Sequence, residues 1–254
     1  MGKIVFITGA TAGFGEACAR KFAEHGYDLI INGRRTDRLQ SLADELEIKY
    51  NIAVFQLAFD VRDEQAVKAA MDQLPETWKA IDILVNNAGL ALGRDHFHEG
   101  DTNDWNTMID TNIKGFLYVG KAVAKLMVSR KQGQIINLGS VAGKQVYEKG
   151  NVYCATKFAV DAISQGMRID LLPHNIKVTA INPGAAETEF SLVRFKGDAG
   201  TAKKIYDGLT PLTASDIADV IYYCCTLPPH VCINDLSITC TQQADTIHFN
   251  RRPS

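Results

Sequence analysis

The sequence predicts an α/β fold, a parallel sheet sandwiched between helices, and three observations carry it. Apolar runs of strand length alternate with longer stretches of helical period. The runs are short and mostly β-branched, as strands buried on both faces are. No repeat, low-complexity tract or linker interrupts the 254 residues, a length within the range of one such domain. In chain order, strands are expected at 4–7, 29–31, 54–59, 83–85, 135–138, 178–181 and 236–238, enough for one seven-stranded sheet. Helices are expected at 15–25, 37–49, 64–74, 104–130, 152–172 and 215–226, several with acids or hydroxyls in the first turn that suit capping. The stretch 184–211 contains Gly184, Gly197, Gly200 and Gly208 and leads away from a strand end, so it is expected to be an irregular lid.

Composition closes off several classes. Hydrophobic residues make up 46% and charged residues 22%, and 27 Lys+Arg against 29 Asp+Glu leave a net charge of −2, which is no footprint for nucleic acid. Met1, Gly2, Lys3 and only four apolar residues open the chain, too few for a signal-peptide core or a membrane span, so a cytoplasmic location is expected. The six cysteines include no CxxC pair and are expected to be thiols in or near the core. His96 and His98 have no third ligand at a suitable spacing; they read as a solvated loop, and no metal is expected.

Behind the first strand stands "TGATAGFG", with Gly9, Gly13 and Gly15 around Thr11 and Phe14. Glycines at this spacing either close a strand-to-helix turn or let the backbone approach a pyrophosphate, whose charge then rests on the amides of the next helix. With a strand before and a helix after, the second reading is the stronger, and it makes the fold a Rossmann-type, doubly wound sandwich. The second strand runs into "NGRRTD", where an acid would hold the ribose 2'-hydroxyl of NAD. Arg34 and Arg35 stand there instead, either as a solvated pair opening a helix or as partners of a 2'-phosphate, so NADPH/NADP+ is the expected cofactor. Asp60 and Val61 end the third strand, and Asn87, Ala88 and Gly89 of "NNAG" end the fourth; such carboxyl ends face the ligand crevice of a parallel sheet.

The segment "GSVAGKQVYEKGNVYCATK" holds two tyrosines, Tyr147 and Tyr153. Of the chain's eight tyrosines only Tyr153 has a lysine, Lys157, four residues on, which is one helix face. A phenol titrates near pH 10, roughly three units too high for easy proton exchange at neutrality, and an ammonium beside it lowers that value. Ser140 follows the fifth strand, placed to hydrogen-bond a reacting carbonyl oxygen. Asn112 lies within the expected 104–130 helix, where an amide among apolar neighbours packs poorly, and is expected to hold a water beside Lys157. A Tyr-x3-Lys pair alone reads as a surface pair on a helix; the whole constellation reads as a proton-transfer site.

Taken in order, "TGATAGFG", "NNAG", Asn112, Ser140, "YCATK" and "NPG" resemble the short-chain dehydrogenase/reductase family over essentially the whole chain. The resemblance implies a catalytic set of Asn112, Ser140, Tyr153 and Lys157, with Lys157 also holding the nicotinamide ribose. It implies cofactor contacts that extend to Pro183, Gly184 and Thr188, and subunits that pair through two long helices into a dimer or tetramer. "NNAGLALG", "DWNTMIDTN" and "ETEFSLVRFKGD" are similar to the branch acting on 3-hydroxy acids, their semialdehydes or sulfoacetaldehyde.

Both substrate classes are small anions and need a fixed cation. Arg194 is the expected guanidinium fork, unless it is a solvated lid residue. Tyr147 is expected to donate to the same head group or else to plug its loop, with Lys144 and Gln145 as further donors there. These donors favour a sulfonate, so the leading reading is reduction of sulfoacetaldehyde to isethionate. The alternatives are an NADP-dependent 3-hydroxy acid or serine dehydrogenase, and a non-catalytic NADP(H)-sensing module. The polar tail at 241–254 is either disordered or carries Phe249 across a subunit interface into another chain's pocket.

Overall fold

The computed structural model describes residues 2–252; Met1 and the last two positions of the expected tail lie outside them. Seven strands, β1 Ile4–Ile7, β2 Asp28–Gly33, β3 Val54–Ala58, β4 Ile81–Asn86, β5 Gly133–Leu138, β6 Ile176–Pro183 and β7 Asp235–Ile238, form one sheet in the order β3-β2-β1-β4-β5-β6-β7. Every pairing is parallel. Because side chains alternate across a strand, Val5, Ile7, Leu29, Ile31, Ile136 and Leu138 meet one helical layer, α1 Gly13–Glu24, α2 Thr36–Tyr50 and α9 Ala214–Thr226. Ile4, Phe6, Ile30, Leu84 and Ile135 meet the other, α3 Glu64–Asp72 and α5 Phe116–Arg130, with Met167 and Leu171 of α6 Asn151–Leu171. Each fully buried side chain of this kind contributes about 1.5–3 kcal/mol, so the sheet is a rigid platform. The strand order reverses beside β1, and the crevice of a doubly wound sheet opens at that point.

Four strands carry a buried asparagine at or next to the carboxyl end, and three of these, Asn32, Asn86 and Asn182, lie beyond the expected apolar stretch. Asn32 donates to the carbonyls of Leu57 and Phe59, Asn86 to that of Phe116, Asn137 to Ser164 Oγ and Asn182 to Asp235. The helix expected over 104–130 is interrupted. It divides into α4 Thr102–Ile109 and α5, joined by a wide π turn at Asp110–Gly115 that is held from outside by Asn112. The lid is not irregular either. It contains α7 Glu189–Arg194, capped by the Thr188 hydroxyl, and α8 Ala199–Lys204, capped by the Asp198 carboxylate.

Up to Arg252 the tail is ordered against its own chain, which corrects the expectation of disorder. Gln243 bridges to Phe249, Thr246 donates to Gln145, and Arg251 donates to the carbonyls of Ile205 and Asp207 in the lid. All six cysteines are free thiols, four of them buried. No helix among the described residues is long and apolar enough to cross a membrane.

Candidate active site

The crevice begins where β1 turns into α1. Gly9 takes a φ of 66°, open to glycine without strain, and a Cβ on Gly15 would collide with the Gly9 carbonyl, so the turn packs against the helix start as only glycine permits. The Thr8 hydroxyl accepts from the amides of Asn87 and Ala88, both at 2.9 Å, while Asn87 Nδ2 donates to the Thr8 carbonyl, which locks the ends of β1 and β4 together. A cleft of about 330 Å³ opens above them. Gly9, Thr11, Gly13, Phe14, Asn87, Ala88 and Gly89 form its floor, and Arg34, Arg35, Asp60, Val61 and Thr188 its rim.

At its inner end the cleft reaches Tyr153 and Lys157, one turn apart on α6 and both buried. Lys157 donates to the Leu138 carbonyl at 2.9 Å, and burial lowers its ammonium to a pKa of about 8. The Tyr153 phenol is pushed up, by burial first and by the Tyr147 phenol second, while the Ser140 hydroxyl and the Arg194 charge oppose the shift. The Lys157 ammonium lies 6.0 Å from the Tyr153 ring centroid and faces the Leu138 carbonyl, and burial dominates the phenol's upward shift. Asn112 is differently employed. Its Nδ2 donates to the Leu90 carbonyl at 2.8 Å and to Thr156 Oγ1 at 3.0 Å, and its Oδ1 accepts from the Leu90 amide. Both amide protons are spent on tying the loop after β4 to α6 beneath the lysine, so neither is free for a water.

A second cavity, of about 230 Å³, shares Tyr153, Phe14 and Thr188 with the cleft and lies beneath the lid. Ser140, Tyr147, Pro183, Gly184, Arg194 and Phe249 line it; its charged lining is three arginines, Arg94, Arg194 and Arg251, with no acid. Ser140 Oγ accepts from the Ala142 amide and caps the turn after β5. The Tyr147 ring lies against Gly150, where any Cβ would strike it. Arg194 is 7% exposed; its Nε donates to the Gly93 carbonyl at 3.2 Å and its Nη1 to the Tyr147 hydroxyl at 2.8 Å, while its Nη2 is buried without a partner.

A nucleotide cleft joined to a Ser-Tyr-Lys cluster, its tyrosine and lysine buried, is the arrangement that the family comparison also meets: the short chain dehydrogenase profile matches residues 3–197. The chain belongs to the short-chain dehydrogenase family. Among its curated relatives, the NADP-dependent 3-hydroxy acid dehydrogenase YdfG of Salmonella typhimurium is 50% identical over 236 residues, 92% of this chain and 94% of the relative. Sulfoacetaldehyde reductase 2 of Chromohalobacter salexigens is 47% identical over 245 residues, 96% of each chain. The closed form of a serine dehydrogenase complexed with NADP+ superposes with a TM-score of 0.91 at 47% identity, covering 99% of this chain and 100% of that one.

In this short-chain dehydrogenase the expected site residues divide between the two cavities, with Pro183 and Gly184 on the substrate side and Gly15 and Asn112 behind the walls. Two expected donors do not line the substrate cavity: Lys144 is held by Asp161 and Asp235, both at 2.7 Å, and Gln145, whose amide oxygen accepts from Thr246 of the tail, lies outside the cavity lining. Other residues were missed. Glu189 joins the rim of the cleft with Arg38 paired to it from behind the lining, and Arg94 stands over the Tyr147 ring at 5.8 Å. The basic character of Arg38, four residues after Arg34 on a helix start, was the one available signal for it.

Proposed function

We propose that this chain uses NADPH to reduce a short aldehyde bearing an anionic head group, with sulfoacetaldehyde to isethionate as the first substrate pair. Arg194 carries the reading. A guanidinium buried without a carboxylate is costly, and an anion delivered beside its Nη2 and the Tyr147 hydroxyl offsets that cost. The head group is thereby placed in the cavity that Ser140 and Tyr153 also line. Arg94 stands where a third donor is needed for a sulfonate, replacing Lys144 and Gln145 in that argument.

The rim and floor of the cleft fit a phosphorylated dinucleotide: Gly9 and Gly15 leave a close backbone approach, and Arg34 and Arg35 would hold a 2'-phosphate. When bound, NADPH supplies the hydride for the carbonyl carbon. Ser140 donates a hydrogen bond to the carbonyl oxygen, and Tyr153, which its burial keeps protonated, gives that oxygen its proton. Lys157 would hold the nicotinamide ribose and keeps a positive charge beside the site below about pH 8. Asn112 fixes the floor from behind.

A second reading, NADP-dependent oxidation of a 3-hydroxy acid or of serine, draws on the same guanidinium, whose planar edge also matches a carboxylate. The names of the 3-hydroxy acid and serine dehydrogenase relatives support it. A non-catalytic NADP(H)-sensing module has no use for a Ser-Tyr-Lys cluster open to a cavity. Exposed Leu117, Phe158, Ile169 and Leu172 on and beside α5 and α6 support pairing into a dimer or tetramer, and we place the enzyme in the cytoplasm.

The test is NADPH oxidation with sulfoacetaldehyde and malonic semialdehyde side by side, compared as kcat/KM. A large advantage for sulfoacetaldehyde is expected. The reverse assigns the chain to 3-hydroxy acids, and activity with neither overturns the anion argument.

A further inference from the structure

Glu189 opens α7, and its carboxylate sits between two arginines of the dinucleotide rim. Arg35 Nη1 donates to one oxygen at 3.1 Å and Arg38 Nη1 to the other at 2.7 Å. The remaining nitrogens of Arg35 are turned to Thr11, whose hydroxyl and carbonyl accept from Nε and Nη2. The outward edge of the Arg35 fork, the edge a phosphate needs, is therefore held by an acid from the lid. Arg38 and Arg35 hold the Glu189 carboxyl below its ordinary range, so it is an anion at neutral pH. Glu189 lines the cleft together with Arg34 and Arg35.

We propose that Glu189 competes with the cofactor's 2'-phosphate for Arg35 and so sets how strongly the chain prefers NADPH to NADH. This rests on the NADP(H) reading above. A phosphate monoester carries up to about two negative charges against the carboxylate's one, and it takes the guanidinium edge in the exchange. Glu189 keeps its shorter bond to Arg38. The affinity gained from the 2'-phosphate is then the difference between two ion pairs rather than the whole of one. NADH has no group to make the exchange, and its binding does not involve the carboxylate.

The experiment is a fluorescence titration of the full chain with NADPH and with NADH, before and after Glu189→Gln. Glu189 is two-fifths exposed, so the variant keeps its fold. NADPH is expected to bind about two- to fivefold more tightly in the variant, the range of a partly exposed ion pair, with NADH unchanged. In an Arg35→Gln background the same substitution is expected to have a smaller effect, because the contested group is gone. An unchanged or narrowed NADPH/NADH ratio overturns the proposal, as does a loosened lid that weakens both nucleotides alike or a full effect that persists without Arg35. An unaltered chain that binds NADPH no better than NADH fails the cofactor reading itself; a strong preference that Glu189→Gln leaves unmoved fails this inference alone.

Discussion

At the dinucleotide end of the crevice Arg34, Arg35 and Arg38 are partly exposed and each faces a carboxylate, Asp60 for the first and Glu189 for the other two. At the substrate end the Arg194 guanidinium is buried, makes no ion pair among the described residues, and donates to the Gly93 carbonyl and a phenol, with Asp95, Asp101 and Asp104 lining a small pocket beside it. The two ends thus use one residue type under opposite electrostatic conditions. Exposed and paired, a guanidinium offers a ligand an exchange of partners with a modest net gain. Buried and unpaired, it offers a charge that only an anion can balance, in a medium where Coulomb terms are strong. On the proposed reading cofactor choice is expected to be graded, and substrate choice close to all-or-none.

The largest effect belongs to the group both cavities share. Tyr153→Phe keeps the ring, its packing against Phe190 at 5.6 Å and the nucleotide cleft, but removes the transferable proton. Turnover is expected to fall by about 10²–10⁴-fold with NADPH binding retained. If biological activity survives intact in this variant, the sensing module is the better account.

Arg194→Met comes next and tests the substrate end of the comparison directly. Its kcat/KM with an anionic aldehyde is expected to fall by about 10²-fold or more, the cost of removing one partner of a buried charge pair, while an uncharged aldehyde of equal length loses little. Equal losses on both substrates would make Arg194 a support for Tyr147 and Gly93, and the contrast between the two ends would lapse.

The pH dependence gives a smaller, graded effect. Lys157 is lowered to about 8 by burial, so raising pH through that value discharges it, and kcat/KM for reduction is expected to fall about tenfold per unit above it. Tyr153 stays protonated across this range because burial moves it upward, so the fall belongs to the lysine. The contribution of Lys157 to stability has the opposite sign. Between about pH 8 and its ordinary range the unfolded chain binds more protons at this position, so the contribution grows with pH, read as the difference between the chain and Lys157→Met. A flat rate profile would place the needed charge elsewhere.

How far the sequence revealed these features depends on the distance over which each contact acts. Tyr153 and Lys157 are a turn apart, the glycines of the first turn are neighbours, and strand ends are local patterns, so the cleft and the proton donor were legible. Arg35 and Glu189 are 154 residues apart, and no local pattern indicates that a lid acid reaches the second strand. The π turn at Asp110–Gly115 was hidden for the same reason, since what holds it is Asn112 bonding Leu90 and Thr156. The tail was misjudged because its partners, Gln145 and the carbonyls of Ile205 and Asp207, lie on other elements.

Lys144 gives the smallest effect and the sharpest control. It sits in the loop between Ser140 and Tyr147, and proximity in sequence suggests a substrate donor. Its ammonium instead bridges Asp161 of α6 and Asp235 of β7; burial, the largest single effect, lowers its pKa, but the hydrogen bonds and charges of the two carboxylates together outweigh it and raise the pKa. All three side chains are partly solvated, which screens the pairs, so Lys144→Met is expected to cost about 1 kcal/mol or less in denaturant unfolding. The kcat/KM for the anionic aldehyde is expected to stay within about twofold, since a partly exposed pair on the sheet's edge has no path to the reacting carbonyl. A loss approaching that of Arg194→Met would mean that the bridge opens when substrate arrives, and the substrate end would then hold a paired, exchangeable cation just as the cofactor end does.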